Sequence, residues 1–174
     1  NAAFVPLFAK EIEENGVAGA KKFSEEVLGV LFSVLLVLTI LMELSMPFLV
    51  RTIIAPGFVS DPQKFNMTWS MALVMFPYLM CMSLTAMMSG ILNSLHRYFA
   101  AAIAPVFLNI ILIAILGWVL WKGIDPFAAG MLMSWGVLAA GILQLLIVVI
   151  AVRKAGIIIG IRKPVMTPQV KRLL

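Results

Sequence analysis

Apolar and polar residues along this chain are segregated into blocks. Four blocks carry little or no charge: Val27–Val50, interrupted only by Glu43, then Met67–Leu95, Tyr98–Trp121 and Phe127–Val152. About 20 consecutive apolar residues carry a helix across the hydrocarbon core of a bilayer, so each block (27–50, 67–95, 98–121 and 127–152) predicts a transmembrane span. A fifth apolar piece, residues 1–9, is too short to cross. With no initiator methionine ahead of it, it reads as the end of a truncated span, and it lacks the basic start and cleavage site of a signal peptide. Residues 10–26 carry both charge signs on helix-compatible residues and predict a cytoplasmic connector, and residues 153–174 form a basic cytoplasmic segment. The expected architecture is all-α: a polytopic transmembrane helical bundle, with 1–174 a partial transmembrane domain of a longer protein.

The breaks between blocks carry matching punctuation. "APGF" at Ala55–Phe58 is a turn signal. "SDPQ" then offers Asp61 as N-cap with Pro62 as the first helical residue, and "IDPF" repeats the device with Asp125 and Pro126. Two such starts predict tight helical hairpins on one side of the membrane.

Composition agrees with the block pattern. Hydrophobic residues make up 63% and charged residues 12%, against roughly 25% charged in soluble chains. Mean hydropathy is +1.08. The thirteen Lys and Arg residues then set the orientation. Lys10, Lys21, Lys22, Arg97, Arg153, Lys154, Arg162, Lys163, Lys171 and Arg172 fall on one side; only Arg51, Lys64 and Lys122 fall on the other. The connector, the "LHRYF" turn and the basic tail are therefore assigned to the cytoplasm. The pI near 9.7 is explained by this topology, and no basic patch with interleaved aromatics points to nucleic acid. Contact of the basic tail with anionic membrane lipids is the remaining use of the charge.

Candidate chemistry is sparse. One His, one Cys and eight carboxylates, nearly all in loops, offer no nucleophile–base pair, phosphate loop or metal cluster. Cys81 stands alone, so cysteines build neither a disulfide nor a zinc site. The expectation is a protein that is not an enzyme and uses no cofactor or metal. The informative residues lie inside the spans. Thr85, Ser89, Asn93 and Arg97 recur every four residues and form a slowly winding polar stripe flanked by Ala86 and Gly90. Such a stripe either packs helices through interhelical hydrogen bonds or faces a water-filled cavity. Pro77 removes a backbone donor and should kink the second span. In the third span Asn109, one turn from Pro105, is placed to satisfy a carbonyl that the proline frees. Gly130, Ser134, Gly141 and Gln144 define a close-packing face in the fourth span, with an interhelical hydrogen bond the default for Gln144. Glu43 is an intramembrane acid and so a functional candidate, but near Pro47 and Arg51 headgroup-depth solvation is the favoured account of it.

"AAFVP", "APGF", "FPY", "GILNSLHRYF" and "APVFLNI" occur in the order and at the spacing of the MurJ/MviN family, which this chain resembles over essentially its whole length. The resemblance implies a lipid II flippase of the multidrug/oligosaccharidyl-lipid/polysaccharide exporter superfamily, covering the end of span two to just past span six. It implies alternating-access transport of the lipid-linked peptidoglycan precursor (lipid II) across the bacterial inner membrane, with the remainder of the same transporter chain as partner. The family's functional arginines fall outside this stretch. The polar positions that match family motifs are Asn93, Arg97 and Asn109; with Gln144 they are the candidate substrate path, and Pro77 and Pro105 the candidate gating kinks. Two other readings remain open: a related exporter of other polyprenyl-linked glycans or drugs, and a membrane scaffold without transport.

Overall fold

The computed structural model describes residues 4–160; the expectations for residues 1–3 and for 161–174 of the basic segment lie outside the described residues. Five α-helices follow one another: α1 Phe4–Leu49, α2 Pro62–Met75, α3 Pro77–Ser94, α4 Tyr98–Lys122 and α5 Pro126–Lys154. A π turn at Val50–Ile54 and a 3-10 turn at Pro56–Phe58 join α1 to α2. Among the described residues there is no strand. Among the described residues four helices, with α2 and α3 counted as one run, are long and apolar enough to cross a membrane, and the chain is a multi-pass membrane protein.

α1 is helical through the connector but not straight. Gly16 adopts φ 65° and ψ −169°, a left-handed backbone value that glycine accepts without steric cost. Phe4 stacks on Phe8 and on Phe23, each at 5.7 Å between ring centroids. A straight helix would separate Phe4 from Phe23 by about 28 Å, so the chain turns sharply at Gly16 and packs the two arms together. The helix then runs unbroken past residue 26 into the first span. Pro47 lies inside α1 near its far end, and the π turn closes with the Ala55 N–H donating to the Val50 carbonyl at 3.0 Å.

Both Asp-Pro starts form as the sequence predicts. Asp61 accepts from the backbone N–H of Gln63 and Lys64, each at 3.2 Å. Asp125 accepts from Phe127 at 2.9 Å and Ala128 at 3.3 Å. The Lys64 backbone bond above all, with that residue's ammonium 3.1 Å away, holds the Asp61 carboxyl below its ordinary value of 3.8.

Three helices end in the same motif, with one residue in the left-handed region and a six-to-one hydrogen bond closing the last turn. α4 uses Gly123 and α5 uses Gly156. α3 uses His96, at φ 58°: Arg97 N–H donates to Leu92 O at 2.9 Å and His96 N–H to Asn93 O at 3.1 Å.

α5 packs on α2, α3 and α4, and α3 touches all four other helices, while in the most apolar window of α4 only 6% of residues are buried. Glycines permit the close approach. A Cβ on Gly141 would lie 2.6 Å from the Tyr78 ring, and one on Gly136 would collide with Ile115 of α4. The buried core is gathered at the end of the bundle that carries Arg97 and Lys154, called here the basic end. There Phe8 and Phe23 of α1, Ile91 and Leu92 of α3, and Val148 and Val152 of α5 are almost fully enclosed, and Ile157 beyond α5 joins them.

Candidate functional site

Helical interruptions place the polar residues, and they do not gather them. At Phe76–Pro77 the hydrogen-bond ladder is broken while Phe76 keeps helical dihedrals (φ −59°, ψ −40°). Pro77 has no N–H for the Leu73 carbonyl, and Leu79 N–H bonds Phe76 O at 3.0 Å, a tightened turn that bridges the break. An apolar cavity of about 510 Å³ opens beside it, lined by Met42 and Met46 of α1, Met71 and Met75 of α2, Tyr78 of α3 and Val137 of α5. The break therefore sits next to an open apolar groove bordered by flexible methionines.

The polar stripe runs out of the core. Thr85 is buried, Ser89 half-buried and Asn93 exposed. Its fourth member, Arg97, is not on the helix: the left-handed turn at His96 takes the chain off axis, leaving Arg97 at φ −108°, ψ 69° as the residue before α4. The expected continuation of the polar stripe from Asn93 to Arg97 along one helical face is thereby lost. The Arg97 guanidinium instead reaches across to the end of α5, where Nη1 donates to the Lys154 carbonyl at 3.5 Å. That carbonyl is one of those a helix C-terminus leaves unbonded.

Pro105 lies within an unbroken α4, and both Pro105 and Asn109 are exposed. The expected bond from Asn109 to a freed carbonyl does not form. The carbonyl that Pro105 frees belongs to Ala101, about 12 Å from Asn109 along the helix, beyond the reach of its side chain. Gln144 is 2% exposed, and its Nε2, like Thr85 Oγ1, is buried without a hydrogen-bond partner among the described residues. The interhelical bond expected of Gln144 is thus absent among the described residues. Ser134 bonds back to the Gly130 carbonyl at 2.9 Å, within its own helix. Glu43 is half-buried. Asn93 and Arg97 thus lie at the basic end, Asn109 on the outer face of α4, and Gln144 inside the bundle.

No group of three or more metal-ligating side chains occurs among the described residues. The residues that sequence reading passed over lie on α1. Ser24, Glu25 and Glu26 are buried, and Glu25 accepts from Gly160 N–H at 3.1 Å while Lys21 Nζ stands 3.8 Å away. The i,i+4 spacing of Lys21 and Glu25 was a visible signal for their pairing. Nothing local pointed to Gly160.

The family model described as lipid II flippase MurJ matches residues 1–174. The chain is 68% identical over its whole length to a probable lipid II flippase MurJ of Rhizobium meliloti (strain 1021), covering 32% of that protein. It is 65% identical over its whole length to one from Rhizobium tropici, covering 33%. It is 32% identical, over 99% of its length, to the lipid II flippase MurJ of Burkholderia cenocepacia, again covering 33%. The chain spans about a third of the length of these relatives. Matched from end to end, the chain belongs to the MurJ lipid II flippase family.

Proposed function

We propose that the protein carrying this chain moves lipid II, the lipid-linked peptidoglycan precursor, across the bacterial inner membrane by alternating access, and that these helices form part of one rocking lobe. The family match over residues 1–174 carries this reading. The geometry supports the lobe role. A diphosphate cannot cross hydrocarbon unpaired, so a flippase needs a wet, cationic path between helix bundles, yet cations are scarce inside these spans. What these spans provide is a well-buried core at the basic end, an interrupted α2–α3 span beside an open apolar groove, and glycine faces on α5. Helices built this way suit the movement of one bundle against another. Arg97, bonded to the end of α5, serves as a cytoplasmic anchor.

Depletion of the encoding gene should accumulate lipid II on the cytoplasmic side of the membrane, and a plasmid copy should reverse it. Normal lipid II turnover in depleted cells, with another glycan carrier accumulating, would replace lipid II with that substrate.

A further inference from the structure

We propose that the basic end carries a binding site for the phosphate of an anionic glycerophospholipid, in the cleft between the α3–α4 turn and the end of α5. A cavity of about 560 Å³ is lined there by His96, Arg97, Tyr98, Phe99 and Lys154 among others, with no carboxylate in its wall. Arg97 and Lys154 are exposed, and neither has an ion-pair partner among the described residues. The Lys154 carbonyl occupies one guanidinium N–H of Arg97; a guanidinium has five, so the rest can face the cleft. The first turn of α4 opens at the same place without a side-chain cap, and its free N–H groups add a partial positive charge.

The surroundings favour a lipid over a soluble anion. Tyr98 is 55% and Phe99 78% exposed, on the first turn of a helix whose exposed side chains are apolar except for Asn109 and the terminal Lys122. Aromatic rings at such a position mark the headgroup layer. A ligand with its phosphate between Arg97 and Lys154 can lay acyl chains along the exposed flank of α4, where Val106, Ile110 and Ile113 face outward. The site extends beyond transport, because a structural lipid held here would join the α3–α4 turn to α5 whatever the protein carries.

The test titrates the purified full-length transporter carrying this chain, in detergent, with phosphatidylglycerol or phosphatidylcholine, and reads bound lipid by native mass spectrometry. Phosphatidylglycerol should bind preferentially, and Arg97→Gln with Lys154→Gln should weaken it about tenfold or more, at roughly one basic side chain's contribution each. Arg97→Lys with Lys154→Arg should keep most of the affinity, which separates charge from any loss of the Arg97–Lys154 bond. Lys64→Gln with Lys122→Gln, at the opposite end, should change nothing. Unchanged phosphatidylglycerol binding in the Arg97/Lys154 double variant, or an equal fall in the Lys64/Lys122 variant, overturns the site. Displacement of the lipid by inorganic pyrophosphate overturns it too, assigning the cleft to a soluble phosphate. The readout is lipid retention and does not depend on which substrate is flipped.

Discussion

The Glu25 carboxylate on α1 accepts a hydrogen bond at 3.1 Å from the backbone N–H of Gly160, tying together positions 135 residues apart. The contact clamps the segment leaving α5 onto the elbow of α1, with Ile157 buried alongside. A hydrogen bond to a charged acceptor contributes about 1.5–3 kcal/mol. Glu25→Ala should therefore lower the thermal stability of the full-length protein by about that amount and expose residues 155–160 to protease. Glu25→Gln keeps a carbonyl acceptor and should lose less. Equal protease resistance in wild type and Glu25→Ala would remove the clamp from the account.

His96 occupies a left-handed position that costs a non-glycine residue about 1–2 kcal/mol. His96→Gly relieves that cost but loosens the unfolded chain, so its melting free energy should lie within about 1 kcal/mol of wild type or above it. His96→Val should destabilise by about 1–2 kcal/mol, since a β-branched side chain fits this region worst. If Val were tolerated as well as Gly, the left-handed turn would not be what ends α3.

Gly141 and Gly117 separate packing from helix propensity. A methyl at Gly141 meets Tyr78 and Cys81, whereas one at Gly117 meets nothing within 4 Å. Gly141→Ala should cost about 1–3 kcal/mol through overpacking of α3 against α5. Gly117→Ala should stabilise by up to about 1 kcal/mol, as alanine replaces glycine in an exposed helix. Melting temperatures of the two variants in the same detergent check the contrast; stabilisation by Gly141→Ala, as by Gly117→Ala, would show that α5 does not pack tightly on α3.

Much of this architecture is readable without coordinates, because the forces behind it are local. Twenty apolar residues in a row specify a span whatever they later touch, and Asp61–Pro62 and Asp125–Pro126 cap their helices with their own side chains. The uneven distribution of Lys and Arg gives an expected orientation in the same local way. What tertiary structure decides is where helix ends and faces meet. The four-residue spacing from Thr85 to Arg97 suggested one continuous stripe. A single left-handed residue at His96 ends it and sends Arg97 to the carbonyl of Lys154, 57 positions away. Asn109 looked close to Pro105, yet the carbonyl freed by a proline lies on its N-terminal side. The Gly16 elbow, the burial of Glu25 and its bond to Gly160 were equally hidden. Helix periodicity and capping act over one or two turns, whereas these contacts depend on how separate helices approach, and that is settled by glycine faces and core packing summed over the whole bundle.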